Sequence, residues 1–220
     1  MVKLNFISKF IKLLLVNDKH FKWDNKVKKV FLLLMSVFVI VPAMAKGFTP
    51  PAEGNAVVYF TRVSSFGGAA SFEFFHNEEF VGIFKNKNYM RYEVKAGEHL
   101  FWASSENKQF VKANLEAGKT YIVLVNIKMG AWKAQVGLEP QNVEDPLQEK
   151  ELKRAIDLVN SKEPIVTPQS LIDKTTKKLQ KRGFVQNMMN RYENEWQYKD
   201  NYVKVLNIDM FIPEEKLISL

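Results

Sequence analysis

Short apolar runs separated by turn sequences occupy residues 56–140, and this pattern restricts the fold more than any other feature of the chain. The runs are rich in β-branched and aromatic residues, and turn-forming residues recur about every 8–12 positions. In residues 89–94, large and polar side chains alternate as they do on the two faces of a strand. A helical period of 3.6 is missing. We therefore predict a mainly β fold, a small antiparallel β-sandwich over residues 56–140, preceded by an extended linker at residues 46–55.

The pattern becomes helical after Pro140. Asp145-Pro146 and Thr167-Pro168 indicate helix starts with proline at the first helical position, and Gly183 lies where a helix commonly ends. Three apolar stripes follow at helical spacing: Leu152, Ala155, Ile156 and Val159; Leu171, Ile172, Thr175 and Leu179; Val185, Met188, Met189, Tyr192 and Trp196. Residues 141–220 are predicted to form an α-helical C-terminal extension that packs on the sandwich, with the part after Tyr202 left ambiguous.

The N-terminal segment has the layout of a secretory signal peptide. A basic stretch ending in Lys28-Lys29 leads into an uncharged apolar block and then into Ala43-Met44-Ala45, a small-x-small cleavage pattern before Lys46. The uncharged block at residues 30–45 has 16 residues, fewer than the ~20 that span a bilayer. We expect residues 1–45 to be removed, leaving no stable membrane span, and the protein to reach the periplasm or the exterior. The alternative is an uncleaved N-terminal membrane anchor.

The positive charge of the chain is concentrated in that segment. The whole chain carries a net charge of +8, but residues 1–45 contribute eight lysines against two aspartates. Residues 46–220 therefore carry a net charge of only +2. A nucleic-acid-binding protein needs a basic stripe on its folded part. We therefore expect no nucleic-acid partner.

The absence of cysteine removes several classes of site. It excludes disulfides, thiolate zinc sites, a cysteine nucleophile and a lipidated cysteine after the signal peptide. An exported protein without disulfides must be stabilised by its core. The 17 Phe, seven Tyr and four Trp residues supply ample apolar surface for one.

No catalytic or metal-binding motif is recognisable. His76 lies in a predicted hairpin tip and His99 follows a turn, without the H-x-H or H-E-x-x-H spacing of metal ligands. Glu78 and Glu79 are adjacent, so on a strand they point to opposite faces, and pairing either with Glu73 gives only weak support for a carboxylate-dependent hydrolase. We predict no catalytic residue, no cofactor and no metal ligand, and hence a protein that is not an enzyme.

Aromatic residues are the remaining candidates for a binding role. Phe74 and Phe75 are consecutive, as are Phe101 and Trp102, so one ring of each pair points away from the shared face. Such a ring can stack on a sugar, dock a partner or be covered by the helical extension. We favour the extension, because an amphipathic helix gains most of its stability by packing its apolar face. In the glycan-binding alternative, the stacking residues would be Tyr89, Trp102 and Trp132.

Several motifs of the β region match a known pattern. They are the opening strand ending in Arg62, the Phe66-Gly67-Gly68 break, the x-V-G-x-F strand at residues 80–84, the Ala96-Gly97-Glu98-His99 turn and the later Ala117-Gly118-Lys119-Thr120-Tyr121 segment. With these motifs, residues 50–140 resemble the bacterial family called Domain of Unknown Function 2846 and have the layout of PEGA-type β modules. The resemblance implies a small exported envelope protein without an assigned activity. The chain differs from the lipoprotein members in lacking a cysteine and in adding a long helical tail.

Together these features predict an exported protein of the bacterial cell envelope that acts as a non-enzymatic binding or assembly module. Its partner would be another envelope protein, with a glycan or peptidoglycan ligand as the alternative and hydrolase activity as the weakest hypothesis. The sequence leaves the oligomeric state open.

Overall fold

The computed structural model describes residues 47–65, 70–85, 87–129 and 134–218. The predicted signal peptide with Ala43, Ala45 and Lys46, the Gly67-Gly68 break and Trp132 lie outside the described residues. The strands are β1 (Asn55–Arg62), β2 (Ser71–His76), β3 (Glu79–Lys85), β4 (Asn88–Lys95), β5 (Gly97–Ser104), β6 (Lys108–Leu115), β7 (Thr120–Met129), β8 (Ala134–Pro140) and β9 (Val203–Leu206). The α-helices are α1 (Glu149–Ser161), α2 (Gln169–Lys181) and α3 (Phe184–Asn194).

The strands form two sheets that pack face to face. Sheet A has the order β4-β1-β7-β8 and sheet B the order β3-β2-β5-β6-β9. The prediction of a mainly β fold followed by helices is confirmed. However, β1 pairs with β7 in parallel, and so does β6 with β9, whereas we predicted only antiparallel pairs. Alternation identifies the faces of a strand but not its neighbours or their direction.

The inner faces of both sheets supply the central core. Phe60 of sheet A packs edge-on against Phe74 and Phe101 of sheet B, with ring centroids 5.5 and 5.4 Å apart. Apolar residues from β1–β3 and β5–β9 complete this layer. Its aromatic rings and aliphatic side chains exclude water from the space between the sheets.

The outer face of sheet A is also apolar and lies under α1. Val57 and Tyr59 of β1 and Ile122 of β7 form a second core with this helix. The predicted stripe Leu152, Ala155, Ile156 and Val159 is buried there. Sheet A is therefore covered on both sides.

The outer face of sheet B carries a third core beneath α2 and α3. Phe75 and Trp102 stack with ring centroids 3.8 Å apart and an interplanar angle of 7°. Leu179 of α2 and Tyr192 of α3 cover this aromatic layer. The four layers are thus α1, sheet A, sheet B and the α2–α3 pair.

The segment between α1 and α2, residues 162–168, crosses the edge formed by β3 and β4. The Ile165 amide donates to the Tyr89 carbonyl oxygen at 2.8 Å, and the Ile83 amide donates to Thr167 Oγ1 at 3.0 Å. Thr167 lies so close to Gly82 that a Cβ at position 82 would collide with its side chain. We expected Thr167 to cap the start of a helix, but its hydroxyl oxygen instead accepts a hydrogen bond from a backbone N–H at the edge of sheet B.

The last described residues return to sheet A. After β9, the Ile212 amide donates to the Thr120 carbonyl oxygen at 2.8 Å, and Asn160 Nδ2 of α1 donates to the Leu217 carbonyl oxygen at 2.9 Å. Residues 141–218 thus surround the sandwich, and we call them the C-terminal belt. The segment left ambiguous in the sequence supplies β9 and this return. Within the described residues, no helix has the length and apolarity needed to cross a membrane.

We expect the belt to stabilise the sandwich through its buried residues. Leu179→Ala should lower the free energy of unfolding by about 2–4 kcal/mol, because it removes a side chain that is 4% exposed over the outer core of sheet B. Leu171→Ala in the same helix is the matched control, since Leu171 is 38% exposed and should cost less than about 1 kcal/mol. Urea unfolding measures both values. Equal effects would contradict the packing of α2 on sheet B.

Candidate functional site

The turn between β2 and β3 is held in place by hydrogen bonds to β5. Asn77 occupies it with a φ of 50°, a left-handed conformation that asparagine tolerates better than most residues. The backbone N–H of Asn77 donates to the Leu100 carbonyl oxygen at 2.7 Å, and the side-chain Oδ1 of Asn77 accepts from the Leu100 backbone N–H at 3.1 Å. Trp102 Nε1 donates to the Asn77 carbonyl oxygen at 2.8 Å. The turn is therefore tied to β5 by three hydrogen bonds.

The two histidines that follow the predicted signal peptide meet beside this turn. His76 Nε2 lies 2.9 Å from His99 Nδ1. The antiparallel register pairs His76 with Phe101, so His99, two residues earlier in β5, points to the same face. The sequence offered no sign of this contact, because the two histidines are 23 residues apart and meet only through the pairing of β2 with β5.

The hydrogen-bond partners assign the tautomers of the neutral pair. His99 Nε2 is 2.7 Å from the Lys95 carbonyl oxygen, which only accepts, so this nitrogen carries a hydrogen. His99 Nδ1 then accepts from His76 Nε2, and His76 Nδ1 accepts from the Tyr92 hydroxyl at 3.1 Å. Asn77 Nδ2 lies farther from His76 Nε2, at 3.3 Å. Every ring nitrogen of the pair has a protein partner.

The surroundings of His76 disfavour its protonated form. Burial lowers the pKa of His76, and the neighbouring His99 lowers it further, while Glu79 acts in the opposite direction. The His76 ring stacks on Phe101 with centroids 5.0 Å apart. No group of three or more His, Cys, Asp or Glu side chains in the described ranges is arranged to hold a metal ion.

A groove of about 530 Å³ lies on the other side of the same turn, between the turn and the α2–α3 pair. Its lining includes Glu78 and Glu79 from the turn side and Gln186 from α3. Phe80, Leu179 and Val185 supply its apolar surface. We call it the turn groove. It has apolar walls, and the exposed Glu78 lines it at the turn, whereas Glu79 borders it from the strand face that it shares with His76.

The residues of the hydrolase hypothesis do not converge. Glu73 lies in β2 between Phe72 and Phe74, which point into the central core, so its side chain is on the outer face. Glu78 lines the turn groove, whereas His76 contacts Tyr92 and His99. This arrangement provides no shared cavity for two carboxylates and a histidine.

Two of the three proposed stacking aromatics are buried, so their rings present no exposed face on which a sugar could stack. Tyr89 is 0% exposed, its hydroxyl donates to the Lys162 carbonyl oxygen at 3.0 Å, and burial raises its pKa to about 12. Trp102 is also 0% exposed and stacks on Phe75. The C-terminal belt covers both rings. We predicted such coverage for the outward ring of the Phe101-Trp102 pair, but did not extend it to Tyr89.

We expect the free energy of unfolding to decrease as the pH is lowered, because of His76. In the folded protein, the pKa of His76 is lowered from its ordinary value of 6.5. Below about pH 6.5, the unfolded chain therefore binds more protons at this residue than the folded protein does, and the folded state loses stability. Urea unfolding at about pH 7.5 and about pH 5.5 should show a smaller pH-dependent loss for His76→Gln than for the wild-type chain. Lys150→Gln, an exposed change on α1 that leaves both histidines in place, is the control and should retain the wild-type difference. An unchanged difference in His76→Gln would contradict this assignment.

Comparison with known proteins adds one distant relative. No family model matches the chain. The chain is similar to an uncharacterized protein of Haemophilus influenzae (strain ATCC 51907 / DSM 11121 / KW20 / Rd), with 29% identity over 136 residues. The match covers 58% of this chain and 77% of that protein. The resemblance to Domain of Unknown Function 2846 therefore stays a prediction.

Proposed function

We propose that this protein is a non-enzymatic binding module of the bacterial cell envelope and that it holds a protein partner in the turn groove. The observation that carries the proposal is the groove itself, a recess of about 530 Å³ with apolar walls and an acidic rim at the turn, where Glu78 and Glu79 are among its lining residues. Pockets that combine an apolar lining with a few placed polar groups are typical ligand sites. Envelope location rests on the layout of residues 28–46 and on the family resemblance.

The rigidity of the turn supports a binding role. Asn77 and Trp102 tie the turn to β5, and α2 and α3 are anchored by Leu179 and Tyr192 in the outer core. Both walls of the groove are thus held in place before a ligand arrives. A preorganised site loses less conformational entropy on binding.

A protein partner fits this groove better than a glycan. Sugar recognition commonly uses an exposed aromatic face, and Tyr89 and Trp102 have none. The apolar lining consists of Phe80, which is only 7% exposed, and aliphatic side chains. Such walls suit the apolar side chains of a peptide segment, and Glu78 and Glu79 suit a neighbouring lysine or arginine.

The titratable groups near the turn support a non-enzymatic role. The ring nitrogens of His76 and His99 are occupied by each other, by Tyr92 and by a backbone carbonyl. A general base needs a nitrogen within reach of a substrate proton. The geometry therefore weighs against the hydrolase alternative.

Site-specific photo-crosslinking in the producing cells tests the proposal. A photoreactive residue at Gln186, an exposed position lining the groove, should give a discrete crosslinked protein in the envelope fraction. The same residue at Lys150, exposed on α1, is the matched control and should not. Glu78→Lys together with Glu79→Lys should reduce the Gln186 product at least about tenfold, because both side chains are exposed and the change reverses the charge at the groove.

Three outcomes would contradict the proposal. One is the same product from both positions, and another is no product from Gln186. The third is a protein that keeps residues 1–45 and is found outside the envelope, which would contradict the location. Binding of the purified protein to isolated peptidoglycan, abolished by the Glu78→Lys and Glu79→Lys pair, would favour the glycan alternative.

A further inference from the structure

We propose that His76 and His99 form a pH-operated latch, which holds the β2–β3 turn against β5 and releases it when the pair takes up two protons. The link to partner binding rests on the proposed function, because the same turn carries Glu78 and Glu79 of the turn groove. The latch itself depends only on the geometry of the turn, so it is testable without a ligand.

The neutral pair forms a hydrogen-bond chain with one direction. Tyr92 donates to His76, His76 donates to His99, and His99 donates to the Lys95 carbonyl oxygen, over distances of 3.1, 2.9 and 2.7 Å. Each ring thus uses one nitrogen as donor and the other as acceptor. No change of tautomer preserves all three bonds, because the Lys95 carbonyl only accepts.

A first proton fits into this chain. It binds His76 Nδ1, and the Tyr92 hydroxyl turns from donor to acceptor, which a hydroxyl can do by rotation. The bond from His76 Nε2 to His99 Nδ1 then becomes charge-assisted. The singly protonated pair therefore keeps the latch.

A second proton does not fit. Its only remaining position is His99 Nδ1, which faces the hydrogen on His76 Nε2 at a nitrogen separation of 2.9 Å. Two hydrogens then point at each other and two cationic rings lie in contact, so the pair must separate. The latch opens at the second protonation.

The charged groups around the pair do not remove this conflict. From β3, Glu79 attracts a proton to His76, and from β4 the buried Tyr92 hydroxyl stays neutral because burial raises its pKa. The last residue of β4, Lys95, contributes its carbonyl oxygen to His99. One carboxylate can balance one imidazolium. Beside His99, Glu98 of β5 and Lys112 of β6 line the same recess with opposite charges, so together they give the second imidazolium no net counter-charge.

The bond between the rings lies next to the contacts that hold the turn. His76 precedes Asn77 and His99 precedes Leu100, and Asn77 and Leu100 exchange two hydrogen bonds. Separation of the two histidine rings therefore weakens the hydrogen bonds between Asn77 and Leu100, which join the turn to β5. Release of Asn77 would displace Glu78 and Glu79 and reduce partner binding in acid.

Nuclear magnetic resonance of the full chain tests the latch between about pH 8 and about pH 4.5. At high pH, the ring-nitrogen signals should show both histidines with hydrogen on Nε2. On acidification, amide exchange at Asn77 and Leu100, corrected for the intrinsic pH dependence, should accelerate by at least about tenfold.

His99→Gln is the deciding variant, because glutamine can accept from His76 and donate to the Lys95 carbonyl oxygen but cannot take a proton at these pH values. In this variant, the amides of Asn77 and Leu100 should still exchange slowly in acid. Because Glu78 and Glu79 are unchanged, this result would show that their protonation is not what opens the turn. If this variant already loses protection at high pH, His76→Gln provides the same test from the other ring.

Equal acceleration in the wild-type chain and the glutamine variant, or none in the wild-type chain, would overturn the latch. A working latch without a crosslink from Gln186 would refute only the partner proposal. A crosslink with pH-independent exchange would refute only the latch.

Discussion

Large rings on both faces of sheet B are the constraint on which the rest of the structure depends. Phe74 and Phe75 are consecutive, and so are Phe101 and Trp102, so the strands that carry them expose one ring to each side. A two-layer sandwich buries only the inner faces of its sheets. The outer rings therefore require a further layer, and the C-terminal belt supplies it with α2 and α3. Sheet A has the same need at Val57 and Tyr59, which α1 meets.

This coverage determines where function can lie. The belt occupies the outer faces that a sandwich could otherwise offer to ligands, and it buries Tyr89 and Trp102. It also creates a new concave surface where α2 and α3 meet the β2–β3 turn. The turn has two sides with different chemistry. Glu78 lines the groove, while His76 joins His99 beside the central core, on the face that Glu79 shares through its pairing with His76. A single change at the turn can thus alter the shape of the turn groove.

Local patterns in the sequence predicted the elements well, and long-range pairing explains what they missed. The alternation at residues 89–94 and the stripe from Leu152 to Val159 reflect the period of a single strand or helix, so they are readable without the fold. The contact of His76 with His99 depends on the register of β2 against β5, which alternation does not specify. β9 has four residues, too few for a periodic signal, and it forms because β6 offers a free edge.

The central claim is that the C-terminal belt and the sandwich form one cooperative unit, since each buries the apolar surface of the other. Native-state hydrogen exchange on the intact protein tests it most directly. The account predicts that protected amides of β1, β5, α1 and α2 exchange with the same free energy of opening and the same dependence on denaturant. Exchange of the helices at a free energy several kcal/mol below that of the strands, with the sandwich still protected, would contradict it.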